Sequence, residues 1–91
     1  MAVSVRIPTV MRPLAGGAAI VDASGDDVDA VLNDLTDRFP GLADRLRDEN
    51  GGLHRFVNVF VGDEDIRYLE GLHTAVPDGA EVSIIPAVAG G

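Results

Sequence analysis

One stretch of helical periodicity, flanked on both sides by strand-like patterns, limits the folds open to this sequence more than any other feature. Apolar residues recur there three or four positions apart and form one stripe along a helix: Val28, Val31, Leu32, Leu35 and Phe39. Ser24, followed three positions later by Asp27, resembles a capping box, so we expect the helix to begin shortly after Ser24. Because such a helix is stable only when its stripe packs on another element, the strands around it must supply the partner surface.

The flanking segments carry the alternating or β-branched patterns of strands. Val3, Val5 and Ile7, for example, alternate with small or polar residues. The predicted strands cover residues 2–7, 18–23, 55–61, 66–68 and 81–85, with a loop at 9–14, a short second helix at 42–47 and a tight turn at 77–79. The economical arrangement is α+β: a mixed sheet of four to five strands with one main helix packed across it. We expect the first and last strands to lie side by side in its centre, which is the β-grasp arrangement.

Composition narrows the partners and the chemistry. The 91 residues suit one domain, and without an apolar span or a basic leader we expect a cytoplasmic protein that is a monomer when alone. The net charge of −8 repels phosphate backbones and anionic lipids, so we expect no nucleic-acid or membrane partner. The sequence contains no cysteine and no lysine. It therefore has no thiol for sulfur chemistry or metal binding, and no side-chain amine to act as a nucleophile.

A thin tail follows the last predicted strand. Pro86 has no N–H for a sheet ladder, so we expect pairing to stop there, dividing the chain into a domain of residues 1–85 and a flexible tail of residues 86–91. The tail has no charged or bulky side chain and reaches roughly 20 Å when extended; it comprises Pro86, Ala87, Val88, Ala89, Gly90 and Gly91. Its two glycines let the backbone enter a slot closed to any residue with a Cβ. We expect the Gly91 carboxylate to be the reacting group, the alternative being a disordered Gly-rich end.

The order of elements and the tail together resemble the ubiquitin-like sulfur carriers of the ThiS/MoaD group. The resemblance covers the whole chain and is most specific in the tail. Within the group, the chain is most similar to carriers that serve cysteine biosynthesis. The stretches that carry this similarity are Ile7-Pro8-Thr9, Arg12-Pro13, Ala23-Ser24-Gly25-Asp26, Leu53-His54-Arg55-Phe56-Val57-Asn58, Asp63-Glu64-Asp65 and residues 86–91.

The resemblance implies a protein cosubstrate rather than an enzyme. An E1-like adenylyltransferase and sulfurtransferase would use ATP to adenylate the Gly91 carboxylate, and a sulfur donor would then displace AMP to leave a thiocarboxylate. A cysteine synthase that depends on pyridoxal phosphate (PLP) would accept this sulfur, and a zinc peptidase would release cysteine. Residues 86–90 would form the part of the tail that inserts into these enzymes. The carrier itself would bind no cofactor.

Several alternatives stay open at this point. The carriers of thiamine synthesis and the small subunit of molybdopterin synthase share the fold and the Gly-Gly end. A ubiquitin-like modifier would begin with the same adenylation and finish on lysines of target proteins. A fourth alternative is a β-grasp binding module that needs neither terminal glycine.

Two further hypotheses concern the body of the domain. Phe56, Phe60 and Ile85 are predicted to form an apolar docking patch on the sheet face away from the helix, unless the phenylalanines close a secondary core. We expect no metal site, because His54 and His73 have no third ligand nearby in sequence.

Overall fold

The computed structural model describes residues 2–86. Its strands are β1 (Ala2–Arg6), β2 (Ile20–Ser24), β3 (Val57–Val61), β4 (Glu64–Asp65) and β5 (Glu81–Pro86), and its α-helices are α1 (Val28–Arg38) and α2 (Ala43–Leu46). Short 3-10 helices cover Thr9–Ala15, Pro40–Leu42, Ile66–Tyr68 and Gly71–His73. No helix within residues 2–86 combines the length and the apolar character needed to cross a membrane.

The five strands form one mixed sheet in the order β2-β1-β5-β3-β4. β1 pairs antiparallel with β2 and parallel with β5, while β3 pairs antiparallel with both β5 and β4. A parallel pair cannot be joined by a tight turn, and here the connection between β1 and β5 contains α1. The first and last strands therefore lie together inside the sheet, as predicted for the β-grasp arrangement.

The core lies between α1 and one face of the sheet. Along each long strand every second residue is buried, which places these residues on the face toward α1: Val3, Val5, Val21, Ala23, Val57, Val59, Val82 and Ile84. The predicted stripe of α1 meets them, with Val31, Leu32 and Leu35 fully buried. Leu42 and Leu46 are also fully buried, which confirms the short second helix. The strand residues that alternate with the buried ones point to the opposite face and are half-buried or exposed, among them Ser4, Asn58, Phe60, Ser83 and Ile85.

The start of α1 differs from the prediction. Asp27, not Ser24, is the N-cap: its backbone is extended, and its carboxylate accepts a 2.8 Å hydrogen bond from the backbone N–H of Ala30. Ser24 is the last residue of β2, and its N–H donates to the carboxylate of Asp34 on α1. Both residues fit a cap by type, and the length of β2 decides between them.

Other boundaries also differ. The predicted loop at 9–14 is a 3-10 helix, the predicted strand at 66–68 is another, and β3 begins at Val57 rather than at residue 55. A 3-10 helix repeats every three residues over a short stretch, so it leaves little periodic signal in a sequence. Pairing continues to Pro86, which lies opposite Val57 at the end of β5. The boundary of residues 1–85 and 86–91 stays a prediction.

Candidate functional site at the end of strand β5

Pro86 is the one residue of the predicted tail that the structure describes. It ends β5, whose neighbours in the sheet are β1 and β3. The predicted reacting residue Gly91 and the predicted insertion residues Ala87, Val88, Ala89 and Gly90 lie outside the described residues. The chain therefore enters the tail from the interior of the sheet rather than from an edge strand.

A cleft of about 440 Å³ opens beside Pro86. Its apolar wall includes Val10, Met11 and Phe56, and its polar wall includes Arg45 and His54. Val10 is 71% exposed and Phe56 is 41% exposed, whereas Met11 belongs to the core. The beginning of the tail thus has an apolar surface and a guanidinium next to it.

A second cleft, of about 550 Å³, adjoins the first. His54 and Asp44 line both clefts, and Arg55 lines the second. The guanidinium carbon of Arg55 lies 5.0 Å from the ring centroid of Phe56, and the His54 and Phe56 rings are 5.6 Å apart. The backbone N–H of Phe56 donates to Nδ1 of His54 at 3.1 Å. These contacts hold the three side chains as one cluster at the edge of the tail cleft.

The loop before this cluster is closed by its own hydrogen bonds. The Asp48 carboxylate accepts from the N–H groups of Asn50 and Gly52 at 2.9 and 2.8 Å. The backbone N–H of Asp48 donates to the Gly52 carbonyl, and that of His54 donates to the Leu46 carbonyl. The loop therefore returns to the end of α2 and fixes where His54 stands.

Arg47 ties the same loop to α1. Its side chain is only 14% exposed, and its Nη2 donates to Oδ1 of Asp29 at 2.7 Å and to Oδ1 of Asn33 at 2.9 Å. Its Nη1 donates to the Gly51 carbonyl at 3.2 Å. The Arg47 guanidinium thus joins α1 to the loop that precedes His54, Arg55 and Phe56.

The structure describes all three residues of the predicted docking patch. Phe60 lies opposite Ser83, and Ile85 lies opposite Asn58, so Phe60 and Ile85 are diagonal neighbours on the face away from α1. Ile85 is 44% exposed, and Phe60 is half-buried. Phe56 precedes β3 and lines the tail cleft. Docking on any of the three stays a prediction.

An ion pair joins Asp65, in the edge strand β4, to Arg67, two residues farther along the chain. Asp65 lies opposite Phe60, and its buried carboxylate accepts from Nη2 of Arg67 at 2.7 Å, from its Nε at 3.1 Å and from its backbone N–H at 2.9 Å. The side-chain hydrogen bonds from Arg67 lower the pKa of the Asp65 carboxyl from its ordinary value, and the backbone hydrogen bond adds to this effect. The Arg67 guanidinium also lies 5.9 Å from the Tyr68 ring centroid.

The described residues contain no group of three or more His, Asp or Glu side chains placed to hold a metal ion. His54 belongs to the cluster beside the tail, and His73 lies exposed in a separate 3-10 helix. The prediction of no metal site stays a prediction for the whole chain.

Sequence reasoning missed Val10, Arg45 and Arg47. Val10 lies near the N-terminus in sequence, and only the pairing of β1 with β5 brings it beside Pro86. No local pattern distinguishes Arg45 from Arg47, although one is exposed and the other is mostly buried. The stretch from Leu53 to Asn58, which carries part of the family resemblance, was the one signal that pointed to this region.

Comparison with known proteins agrees with this geometry. A family model described as the ThiS family matches residues 5–91. The sulfur carrier protein CysO of Mycobacterium tuberculosis is 53% identical to this chain over 93 aligned residues that cover both proteins in full. A chain of the solved BexX/CysO complex of Amycolatopsis orientalis is 46% identical, with a TM-score of 0.90 over 98% of this chain and 99% of that one.

A third relative has a different name. The small archaeal modifier protein 3 of Haloferax volcanii is 37% identical, and the alignment covers both chains in full. Because the family model spans nearly the whole chain and the identities are high over full lengths, homology extends through the domain into residues 87–91. The chain therefore belongs to the ThiS family, and it is a sulfur carrier protein with the ubiquitin-like β-grasp fold.

Proposed function

We propose that this protein carries sulfur as a thiocarboxylate on Gly91 and delivers it for cysteine synthesis. The observation that carries the proposal is the 53% identity, over the full length, with the sulfur carrier CysO of Mycobacterium tuberculosis. The sequence adds a chemical reason. With no cysteine, the chain has no side-chain thiol on which to hold a reactive sulfur, so a main-chain carboxyl group is the natural carrier.

The carboxylate must first be activated, because oxide is a very poor leaving group. An oxygen of the Gly91 carboxylate attacks the α-phosphorus of ATP and pyrophosphate leaves, which produces an acyl adenylate. A nucleophilic sulfur then attacks the carbonyl carbon and AMP leaves. The bare backbone of Gly90 and Gly91 supports this role, because it can enter an active site too narrow for a Cβ.

The partners follow from this chemistry. An E1-like adenylyltransferase and sulfurtransferase uses the ATP, a PLP-dependent cysteine synthase accepts the sulfur, and a zinc peptidase releases cysteine. The carrier supplies the acyl carbon and a surface that the partner enzymes bind, and it binds neither ATP nor PLP. We place it in the cytoplasm, as a monomer when alone, with residues 86–90 serving as the inserted segment.

Intact and top-down mass spectrometry of the protein isolated from its native host tests the proposal. We expect a fraction whose terminal residue has one oxygen replaced by sulfur, or which has cysteine attached through Gly91. As a matched control, the same protein with one alanine appended after Gly91 should have neither product, although its fold is unchanged. A normal thiocarboxylate yield from the extended protein would contradict the assignment to Gly91.

A second candidate function is modification of other proteins. The 37% identity with a small archaeal modifier protein favours it, and the same adenylation would begin both routes. The two differ in the final acceptor, since a modifier forms an amide with a lysine on its target. Ladders of target conjugates that depend on Gly91, without a thiocarboxylate or a cysteine adduct, would support the modifier. Growth that depends on the carrier only when thiamine or molybdopterin is withheld would identify those pathways instead.

A further inference from the structure

The tail is too short to act far from the domain. Residues 87–91, extended, reach roughly 17 Å beyond Pro86, so the acyl carbon of Gly91 cannot lie farther away than that. An enzyme that encloses this carbon must also enclose the tail. Its rim therefore meets the residues around Pro86, which are those of the tail cleft. This step rests on the proposed function.

The arginines beside this cleft differ from most of the others in the chain because they form no ion pair in the part of the chain that the structure describes. Four of its seven arginines are held by a carboxylate of the protein itself: Arg6 by Glu81, Arg38 by Asp34, Arg47 by Asp29 and Arg67 by Asp65. Arg45 and Arg55 are exposed and form no ion pair with another side chain among residues 2–86. Arg45 lines the tail cleft with Pro86, and Arg55 lines the second cleft, which shares Asp44 and His54 with the first. Arg12, the remaining arginine, is half-buried, and its Nε donates to the Ile7 carbonyl at 3.1 Å. In a protein of net charge −8, the two exposed guanidiniums without an ion pair among the described residues thus lie at these clefts.

The surface between them is apolar and held in place. Val10 and Phe56 are exposed beside Pro86, and the Arg55 guanidinium lies over the Phe56 ring. The loop before Arg55 is closed by Asp48 and joined to α1 by Arg47. A cation already positioned on a fixed loop loses little side-chain entropy when it binds, so its ion pairs favour binding more than those of a mobile side chain. Asp44 is the acidic residue shared by both clefts, and Asp48 and Glu49 also line the second cleft.

We propose that this cleft is the docking surface for the rim of the tail-activating enzyme, which contributes carboxylates to Arg45 and Arg55 and an aliphatic side chain to Val10 and Phe56. Phe60 and Ile85 line neither of the two clefts. The docking surface gives the enzyme a means to select this carrier by contacts outside the tail, because complementary charge raises the rate of association and disfavours wrong partners.

The test is ATP–pyrophosphate exchange catalysed by the host's activating enzyme, measured at saturating ATP while the carrier concentration is varied. The variants are Arg45→Gln, Arg55→Gln and their combination. The control is Arg38→Gln, which removes the same charge from α1, a helix that lines neither cleft. We expect KM for the carrier to rise on the order of tenfold for each cleft arginine, with kcat unchanged, and to rise less than about twofold for the control.

The outcomes separate this inference from the proposed function. If the unsubstituted protein supports no exchange, the proposed function fails. If it supports exchange but the cleft variants have the same KM as Arg38→Gln, the proposed docking surface is ruled out. A fall in KM would also overturn it, because it would mean that the arginines hold the carrier's own tail. Thermal unfolding of each variant, with a midpoint near that of the unsubstituted protein, establishes that a raised KM does not come from a loss of fold.

Discussion

Replacing Arg47 with alanine should destabilise the protein by about 2 kcal/mol. The loss of a hydrogen bond to a charged partner costs about 1.5–3 kcal/mol when both groups are shielded from water. Here Asp29 is 42% exposed, so we take about 1 kcal/mol for that pair. The bonds to Asn33 and to the Gly51 carbonyl, together with the buried stem of the side chain, add about 1 kcal/mol more.

The change in the free energy of unfolding is measured by urea unfolding followed by circular dichroism, because the chain has no tryptophan for fluorescence. A loss of about 2 kcal/mol lowers Tm by about 10 °C for a domain of this size. Arg45→Ala is the matched control, since Arg45 is an exposed arginine two residues away and should change the free energy of unfolding by less than about 0.5 kcal/mol. Arg47→Lys should recover only part of the lost stability. A lysine ammonium keeps the charge, but it cannot reach all the acceptors that the planar guanidinium of Arg47 binds.

The effect should also be local in the folded state. Hydrogen exchange at the amides of Asn50, Gly52 and His54 should accelerate in Arg47→Ala more than exchange in β1 and β5, because the guanidinium ties this loop to α1. If Arg47→Ala is no less stable than Arg45→Ala, or if the loop amides keep their protection, then the Arg47 guanidinium does not hold the loop in place.

Two further predictions concern the turn before α1 and the outer edge of the sheet. Gly25→Ala should destabilise the fold by about 2–3 kcal/mol, because a Cβ there would lie 2.6 Å from the backbone nitrogen of Val31; an unchanged midpoint in urea would contradict this. Asp65→Asn should lower stability at pH 7, since the Arg67 hydrogen bonds that lower the Asp65 pKa favour the charged form in the folded state. The stability gained from the charged Asp65 is complete above its ordinary pKa of 3.8 and disappears as the pH falls through the lowered value, so acid titrations of the two proteins should converge; a constant difference would refute it.

Elements with a complete local signal were predicted from the sequence. The alternation of Val3 and Val5, the stripe along α1 and the Pro77-Asp78-Gly79 turn each depend on neighbouring residues, and all three are present. The turn is closed by a hydrogen bond from the Ala80 N–H to the Pro77 carbonyl, with Gly79 at φ 81°. Gly79 suits that backbone because it has no Cβ to collide with the adjacent carbonyl.

Errors arose where two local readings competed. Ser24 and Asp27 are both good N-caps, and the pairing of Ser24 with Ala2 across the sheet leaves Asp27 for the helix. Ile66 has the side chain of a strand residue, yet it begins a 3-10 helix because Asp65 caps that turn by accepting a hydrogen bond from the Arg67 N–H. At Ser24 the pairing with a distant strand decided the boundary, and at Ile66 the cap formed by the preceding residue decided it.

By itself, the sequence determined the class of fold, the small uncharged tail and the absence of cysteine and lysine. The spacing of hydrophobic residues and the chemistry of side chains are properties of short segments, so they can be read without the structure. Only the tertiary structure decided what surrounds the start of that tail. Val10, Arg45 and Phe56 are separated along the chain, yet they line one cleft together with Pro86, the last residue of β5 between β1 and β3. The tertiary structure also decided which arginines form ion pairs with the protein's own carboxylates, because a charge interacts with its neighbours in space rather than in sequence.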